Sequence, residues 1–414
     1  MVRFSQTRWI MLASLLLTTA VIVGPTAAAG RAYRIEVAPE LDRSALRRAL
    51  AAVPAAGVPG AVAAARTGRQ SWIGAAGIAD LAQARPIRPW SRHRVGSITK
   101  TFVSTTLLRL VDEGALGLDD QVGRWLPDLV PGVLGQRVTV RMLLNHTSGI
   151  GNYTDVLLDS LSAVERVGST PYSPAELVSI GLGLPRTGEP GEVFGYSNTN
   201  YILVGLVIER VTGNPATDEV TRRVIWPLRL ADTYFPGGDR TIRGPHAGAY
   251  FAPLGVRNFG EYGMTWAWTA GELIATMDDL NRFFRALLGG RLLSAATLAE
   301  MLSTVPFDPE APEFGGYGLG IYRTATPCGE VWGHDGGVIG QLTISLHSRD
   351  GGRQASLGSN LSHYQLYAAE PHPIDIAAQE FLRVAHCPDS PAGAAWTPPS
   401  LPGIPAIAGP APNW

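Results

Sequence analysis

The spacing of apolar residues predicts that the chain opens with a helix and a hairpin. Three stretches repeat apolar side chains at helical spacing: residues 41–53, 97–112 and 270–288. A short strand is predicted over 35–39. Residues 60–66 and 69–78 predict two further strands, because small and β-branched residues flank the turn Thr67-Gly68.

After Gly315 the pattern changes to strands. The predicted strands are 316–322, 330–332, 340–348 and 353–358, and a closing helix covers 374–384. The stretch 115–255 carries helix-like segments separated by Gly-Pro turns and loops. We therefore predict an α/β (α+β) fold, with an antiparallel sheet flanked by helices over about 34–114 and 256–387 and a mostly helical insertion over 115–255.

The two ends of the chain predict a targeting segment and a disordered tail. Arg3 and Arg8 precede the apolar run 9–23, and Ala27-Ala28-Ala29 follows it, so residues 1–29 are interpreted as a secretory signal peptide cleaved after Ala29. An uncleaved anchor is the alternative, although the run is short for a span. Residues 388–414 are rich in proline. The mature domain is predicted to cover 30–387 and to be secreted, or extracytoplasmic.

Composition describes a globular protein and excludes some partners. The 414 residues are 45% hydrophobic and 17% charged with a net charge of -1, so a nucleic acid is not an expected partner. The two cysteines, Cys328 and Cys387, are expected to pair in an oxidising compartment, with two free buried thiols as the alternative. Two cysteines without a nearby histidine pair do not make a zinc site, and no metal or cofactor is predicted.

Lysine occurs once in the chain, at position 100 of the stretch VGSITKTF, whereas arginine occurs 33 times. A buried lysine can lose its proton and act as a base, which a guanidinium cannot do. On a helix, Ser97 and Lys100 share a face, and Ser97 lies near the positive helix start. A neutral Lys100 could accept the Ser97 proton. Because Ser-x-x-Lys is a short pattern, a chance match is the alternative.

Two further motifs carry candidate chemistry. In FGYSNTNY, Tyr196 could relay a proton to a leaving nitrogen, and Asn198 could bind the lysine and a substrate carbonyl. Hydrogen bonding within a loop would explain the same pair. In Gly333-His334-Asp335-Gly336-Gly337, which precedes a predicted apolar strand, His334 could supply a positive charge or a donor. A plain turn at a strand's end is the alternative.

Together the three motifs resemble those of the serine penicillin-recognising enzymes, whose pattern is S-x-x-K, Y-x-N and H-x-G. LLNHTSG at 143–149, WAWTAG at 266–271 and GYGLGI at 316–321 also resemble segments of the secreted D-alanyl-D-alanine carboxypeptidases related to class C β-lactamases. The resemblance covers roughly residues 34–387. It implies a β-lactamase/transpeptidase-like fold.

The resemblance also implies roles for individual residues. Ser97 would be the acylated nucleophile, Lys100 its base and Tyr196 the proton relay. Backbone N–H groups of Ser97 and Gly337 would form the oxyanion hole. The residues implied to bind substrate are Asn198, Trp266, His334, Asp335, Gly336 and Gly337.

The chain departs from the carboxypeptidase pattern at two places. Asp335 and Gly337 stand where threonine hydroxyls help to hold the substrate carboxylate, and an aspartate pointing into the pocket would repel a carboxylate. It could instead point away and orient His334. An arginine expected near Tyr322 appears one position later as Arg323, which on a strand is the opposite face.

The resemblance favours an exported, monomeric serine-type D-alanyl-D-alanine carboxypeptidase that acts on peptidoglycan stem peptides and is inhibited by penicillins. A β-lactamase-family serine esterase or class C-like β-lactamase is the first alternative, supported by the missing threonine hydroxyls. The second is a non-catalytic penicillin- or muropeptide-binding protein. The retained Lys100 argues against a site without catalysis.

Overall fold

The computed structural model describes residues 41–254, 257–364, 372–391 and 393. The predicted signal peptide, the predicted strand over 35–39 and most of the predicted tail lie outside these residues. Within the described ranges, no helix combines the length and the apolar character needed to cross a membrane.

Fourteen α-helices form along the described residues. They are α1 (Arg43–Ala55), α2 (Thr99–Asp112), α3 (Val122–Trp125), α4 (Gly132–Arg137), α5 (Val140–Leu144), α6 (Thr154–Leu157), α7 (Leu161–Val167), α8 (Pro174–Leu182), α9 (Asn198–Thr212), α10 (Ala216–Val220), α11 (Trp268–Gly271), α12 (Met277–Leu288), α13 (Ala295–Met301) and α14 (Pro373–His386). The predicted first helix begins after Asp42, whose carboxylate accepts from the free N–H groups of Ser44 and Ala45.

The described residues also form fourteen strands, of which nine make one antiparallel sheet. The strands are β1 (Gly60–Thr67), β2 (Gln70–Asp80), β3 (Arg85–Pro86), β4 (His93–Arg94), β5 (Tyr250–Phe251), β6 (Arg257–Asn258), β7 (Ile274–Ala275), β8 (Val305–Pro306), β9 (Gly315–Tyr317), β10 (Tyr322–Thr326), β11 (Gly329–Val338), β12 (Gln341–Ser348), β13 (Arg353–Ser359) and β14 (Leu361–Ser362). The nine-stranded order is β3-β2-β1-β13-β12-β11-β10-β9-β8.

The sheet joins the two ends of the chain, because β1 pairs with β13 from Ala61↔Ser359 to Thr67↔Arg353. Helices α1 and α14 pack together beside β1, β2 and β13, and α12 packs against β1, β12 and β13. This architecture confirms the predicted antiparallel sheet flanked by helices.

The side chains of β1 alternate between two apolar clusters. Ala61, Ala63 and Ala65 belong to the cluster that contains helices α1 and α14, and Val62 and Ala64 belong to the cluster that contains α12. Successive side chains of a strand point to opposite faces, so β1 is buried on both sides. Its small residues let helices approach the sheet closely on each face.

Two predicted elements are divided in the structure. The helix predicted over 270–288 is interrupted by β7, which pairs with β4, and α12 begins only after Thr276, whose hydroxyl accepts from the Asp279 N–H. The strand predicted over 316–322 is split into β9 and β10 by a turn in which Gly320 has φ of +81°. In both places, tertiary contacts prevail over the local pattern.

A disulfide joins the turn between β10 and β11 to the end of α14. The two cysteines predicted to pair, Cys328 and Cys387, are bonded across 59 positions with 5.6 Å between their Cα atoms. The bond ties the C-terminal helix to the strand that carries the His334 motif.

Candidate active site

Ser97 lies in a 3-10 turn that leads directly into α2. The turn spans Gly96–Ile98, and all three residues are buried. Gly96 has φ of +55°, and a Cβ on it would lie 2.8 Å from the Gly337 nitrogen of β11. The positive φ and the close strand together require glycine. Ser97 is therefore held between the start of a helix and a strand.

The Lys100 amine is buried against the Ser97 hydroxyl. Nζ lies 2.8 Å from Ser97 Oγ, 2.7 Å from Asn198 Oδ1 and 2.7 Å from the Ala270 carbonyl oxygen. The amide and carbonyl oxygens only accept hydrogen bonds, whereas the hydroxyl both donates and accepts. A neutral amine that donates to those two oxygens therefore points its lone pair at Ser97 Oγ. The arrangement presents a base to the serine.

The surroundings of Lys100 favour its neutral form. Burial lowers the pKa of Lys100 well below its usual 10.5, and the nearby Asp335 carboxylate acts in the opposite direction without cancelling the effect. The rings of Tyr196 and Tyr201 lie with their centroids 5.0 Å and 5.5 Å from Nζ. An amine in this environment can accept a proton from Ser97.

Tyr196 approaches Ser97 from the other side of the hydroxyl. Its Oη donates to Ser97 Oγ at 2.8 Å. Burial raises the pKa of Tyr196 well above its usual 10, against the smaller lowering by the Ser97 hydrogen bond. The ring of His146 packs 4.3 Å from the Tyr196 ring, centroid to centroid. Tyr196 therefore keeps its proton and acts as a donor at this position.

Asn198 is oriented by residues that the sequence analysis did not assign. Its Nδ2 donates to Asn152 Oδ1 at 3.2 Å and to Thr154 Oγ1 at 3.1 Å, so its Oδ1 faces Lys100. The Asn198 N–H also donates to Asn152 Oδ1. The amide thus holds the lysine, while its N–H groups are already occupied. Asn152 and Thr154 lie in a loop and the first turn of α6, where no periodic pattern identified them.

The His334 motif lies inside β11 rather than before a strand, so the interpretation as a plain turn is wrong. Strand β10 pairs only with Gly329–Gly333, which leaves one edge of the motif unpaired by β10. Val338 and Gln341 form the hydrogen-bonded pair that closes a two-residue hairpin between β11 and β12. Hydrogen-bonded and non-hydrogen-bonded pairs alternate along an antiparallel ladder, so Asp335 and Gly337 fall at non-hydrogen-bonded positions. Their backbone N–H and C=O groups therefore point away from β12. That edge faces the Ser97 turn.

The contact between this edge and the nucleophile is close. A Cβ on Gly336 would lie 2.8 Å from the Ser97 nitrogen and 2.0 Å from the Val95 carbonyl oxygen. Glycine at this position is therefore required by the approach of β11 to the turn. The nitrogens of Ser97 and Gly337, whose N–H groups the resemblance implies as the oxyanion hole, both lie at this contact.

His334 is fully buried and neutral. Burial first, and then the charge of Lys100, lower the pKa of His334 to about 3. Nδ1 bonds the Asp335 carbonyl oxygen, which only accepts, so Nε2 accepts from the Tyr317 hydroxyl at 2.8 Å. A positive charge from His334, one of the two roles that the sequence allowed, does not fit this environment. The histidine instead fixes β11 against β9.

Asp335 lies near the basic side chains of the site. Its Oδ1 lies 3.7 Å from His334 Nδ1, and its charge influences the pKa values of Lys100 and Tyr196. Burial raises the pKa of Asp335 to about 7. The alternative role for Asp335, the orientation of His334, has only this 3.7 Å approach in its favour, because His334 Nδ1 bonds the Asp335 carbonyl oxygen.

Two other residues considered in the sequence have different neighbours. Trp266 packs in an apolar cluster with Val338 and Ile339, directly after the motif. Arg323 donates to Glu330 Oε1 and to the Pro312 carbonyl oxygen. Nowhere in the described ranges do three or more His, Cys, Asp or Glu side chains cluster as metal ligands would.

Comparison with known proteins extends the picture beyond the motifs. The family model for beta-lactamase matches residues 46–352. The crystal structure of a D-stereospecific amidohydrolase from Streptomyces sp. is 39% identical and superposes with a TM-score of 0.75, covering 85% of this chain and 100% of that chain.

Two curated relatives match shorter shares of their own length. Penicillin-binding protein 4* of Bacillus subtilis (strain 168) is 27% identical over 307 residues, which are 70% of this chain and 65% of that protein. Esterase EstB of Burkholderia gladioli is 35% identical over 184 residues, 42% of this chain and 47% of that protein. The chain therefore spans less than two thirds of either relative.

Proposed function

The chain belongs to the beta-lactamase family and is a serine hydrolase, and on that premise we propose that it cleaves the amide bond on the carboxyl side of a D-configured residue. The reaction proceeds through an acyl-enzyme on Ser97. The observation that carries the proposal is the set of three contacts around Lys100 Nζ, because two acceptor-only partners direct its lone pair at Ser97 Oγ.

Acylation begins with proton transfer from Ser97 to Lys100. The Ser97 O–H bond breaks, Nζ takes the proton, and Oγ bonds to the substrate carbonyl carbon. The resulting oxyanion accepts from the backbone N–H groups of Ser97 and Gly337. Their proximity supports this assignment, since a Cβ on Gly96 would touch the Gly337 nitrogen.

Collapse of the tetrahedral intermediate requires a proton on the leaving nitrogen. Tyr196 Oη donates its proton to that nitrogen and receives one from the Lys100 ammonium, so the C–N bond breaks and the amine leaves neutral. The raised pKa of Tyr196 and its 2.8 Å contact with Oγ support this role. Water then attacks the acyl-enzyme with Lys100 again as base, the bond between Ser97 Oγ and the acyl carbon breaks, Oγ takes the proton back from Lys100, and the acid product leaves.

The preference for a D-configured residue is supported by the Streptomyces sp. amidohydrolase, which is D-stereospecific by its title and is matched over its whole length. The same acylation chemistry would open a β-lactam ring, so penicillins are expected to acylate Ser97. Aryl esters are expected to react as well, because a phenolate leaves more easily than an amine.

A D-alanyl-D-alanine carboxypeptidase is the second candidate. The match to a penicillin-binding protein over 70% of this chain favours it. Such a substrate ends in a carboxylate that needs a cation near the site. Arg323, the expected cation, is engaged by Glu330, and Asp335 brings a carboxyl group rather than a cation to the site. On the strength of these contacts we propose the amidase as the first candidate and the carboxypeptidase as the second.

Export belongs to the proposal as well. The disulfide between Cys328 and Cys387 is typical of proteins that fold in oxidising compartments. A secreted hydrolase would meet peptides and amides that contain D-residues outside the cytoplasm. Mass measurement of the mature protein from a secreting host tests the predicted cleavage after Ala29.

The experiment that tests the chemistry is intact-mass analysis after incubation with a fluorescent penicillin. The wild type should form one covalent adduct, and Ser97→Ala and Lys100→Arg should form none. Ser104→Ala is the matched control, because the Ser104 hydroxyl is also buried and contacts a tyrosine hydroxyl, that of Tyr201. It should be labelled like the wild type.

Substrate comparison then separates the candidate activities. D-alaninamide should be hydrolysed at least about 100-fold faster than L-alaninamide, and faster than N-acetyl-D-alanyl-D-alanine. A higher rate for the dipeptide would favour the carboxypeptidase. An adduct on Ser97→Ala, or equal rates for the two enantiomers, would contradict the proposed function.

A further inference from the structure

Among the residues described around Ser97, Asp335 carries a carboxyl group that the proposed reaction does not use. Its Oδ1 is buried and has no hydrogen-bond partner among the described residues. Its side chain nevertheless remains 26% exposed. It is therefore reachable from outside, yet the protein leaves one of its oxygens unsatisfied. Gly336 and Gly337, which follow it directly, contact the Ser97 turn.

The basic side chains near Asp335 have other partners. The three contacts of Lys100 Nζ go to Ser97, Asn198 and Ala270. The neighbouring His334 is neutral and directs Nδ1 at the backbone of Asp335 rather than at its carboxylate. A buried carboxylate without a cation is unfavourable, because it loses hydration without gaining a partner. A substrate could supply that partner.

We propose that Asp335 binds a cationic nitrogen of the substrate close to the scissile bond. The inference rests on the proposed function, because it concerns the substrate of the same site. It assigns the substrate class as amides that carry a free amine, and it explains why an aspartate stands where carboxylate-binding members of the family have threonine.

Covalent geometry makes an α-ammonium a suitable partner. In an amino acid amide the ammonium nitrogen lies about 2.5 Å from the scissile carbonyl carbon. A substrate whose carbonyl carbon meets Ser97 Oγ must therefore place this charge beside the Ser97 turn. Asp335 is one residue away from Gly336, the residue in contact with that turn. A cation on the leaving group is the other source of the same chemistry.

The test measures binding to the Ser97→Ala protein by calorimetry, so that no ligand is consumed. D-alaninamide carries the α-ammonium and N-acetyl-D-alaninamide lacks it. A second pair places the cation on the leaving group: N-acetyl-D-alanine 2-aminoethylamide and the matching ethylamide. We expect one cationic ligand to bind about 10- to 100-fold more tightly than its uncharged counterpart. Which pair shows the difference identifies the source of the cation.

A second substitution tests whether Asp335 causes the preference. Adding Asp335→Asn should make the two members of that pair bind equally. Glu330→Gln removes a carboxylate from the same strand, where Glu330 pairs with Arg323, and should leave the preference intact. Equal binding within both pairs, or a preference that survives Asp335→Asn, would overturn the inference.

These experiments distinguish a failure of the proposed reaction from a failure of the proposed role of Asp335. If Ser97 forms no adduct but the cation preference holds, the proposed reaction is wrong and the role of Asp335 stands. If the wild type hydrolyses both D-alaninamide and its N-acetyl form at equal rates, and both ligand pairs bind equally, the reaction stands and the role of Asp335 is refuted.

Discussion

Two buried serines of this protein each contact a basic side chain, and the two contacts differ in which group donates the hydrogen bond. Ser97 contacts Lys100 at the start of α2. Ser345, on β12, contacts His347 Nε2 at 2.9 Å, and its other neighbour is Ser356 on β13. By sequence and distance alone, the second pair resembles a nucleophile and its base as much as the first.

The hydrogen bonds around Ser345 run in the opposite sense to those around Ser97. Ser356 donates to Asn281 Oδ1, so Ser356 accepts from Ser345, and Ser345 in turn accepts from the Nε2–H of His347. His347 is thus a donor, with no lone pair directed at the serine. Lys100 has two acceptor-only partners, and its lone pair faces Ser97.

Access separates the two networks as well. Ser345 is completely buried between the sheet and α12, where the His347 ring stacks on Phe284. Ser97 is 6% exposed and lies beside a strand edge that β10 does not pair. A serine next to a buried base is therefore a nucleophile only if the base's lone pair points at it and a substrate can reach it.

The largest difference in acylation rate between the two networks is expected when the basic side chain of each is replaced. Lys100→Met keeps the volume of the side chain and removes the lone pair, so acylation by a fluorescent penicillin should slow by about 1,000-fold or more. His347→Gln should leave the rate within about threefold, since His347 only donates. Stopped-flow labelling measures both. If the two variants lose equal activity, the comparison between the networks is wrong.

A smaller effect is expected from Tyr196→Phe, which keeps the ring beside His146 and removes the proton donor. Hydrolysis of an anilide should fall about 100-fold, because its nitrogen needs a proton to leave. Hydrolysis of a nitrophenyl ester should fall less than tenfold. Tyr201→Phe is the control, since that hydroxyl contacts Ser104 and the Leu144 carbonyl oxygen. Equal losses for both substrates would argue against the proton relay.

Replacing Ser345 should cost more folding stability than replacing Ser97, although Ser97 matters more for activity. Ser345→Ala strands the His347 N–H and breaks the chain to Ser356, so it should lower the free energy of unfolding by about 1–2 kcal/mol. Ser97→Ala also removes the acceptor of the Tyr196 hydroxyl, but Ser97 is 6% exposed, so water can take the place of the lost hydroxyl and the loss should stay below about 1 kcal/mol. Guanidinium unfolding measures both. A larger loss for Ser97→Ala would mean that its network serves folding as much as chemistry.

The sequence predicts those parts of the site that depend on near neighbours. Ser97 and Lys100 are one helical turn apart, so their contact follows from the pattern itself. The orientation of Asn198 does not, because Asn152 reaches it across 46 positions from a loop without periodicity. The neutral state of His334 depends on burial beside Tyr317, which only the assembled sheet supplies.

The fold also combines features that follow from neighbouring residues with features that depend on distant contacts. Hairpins and amphipathic helices at the two ends of the chain are visible in local patterns. The break between α11 and α12 is not, because it requires β7 to pair with β4 from a distant part of the chain. The helical pattern continues through this point in the sequence. Pairing with β4 then decides the backbone conformation.

The smallest effect is expected from removing the charge of Asp335, which acts on Lys100. With a neutral nitrophenyl ester, acylation should rise with pH as Lys100 loses its proton, well below pH 10.5. Asp335 raises the pKa of Lys100, so Asp335→Asn should move this rise to lower pH by less than about one unit. Glu330→Gln is the control and should not move it. A shift to higher pH in Asp335→Asn would mean that Lys100 does not act as the neutral base, because removing a negative neighbour can only favour the uncharged amine.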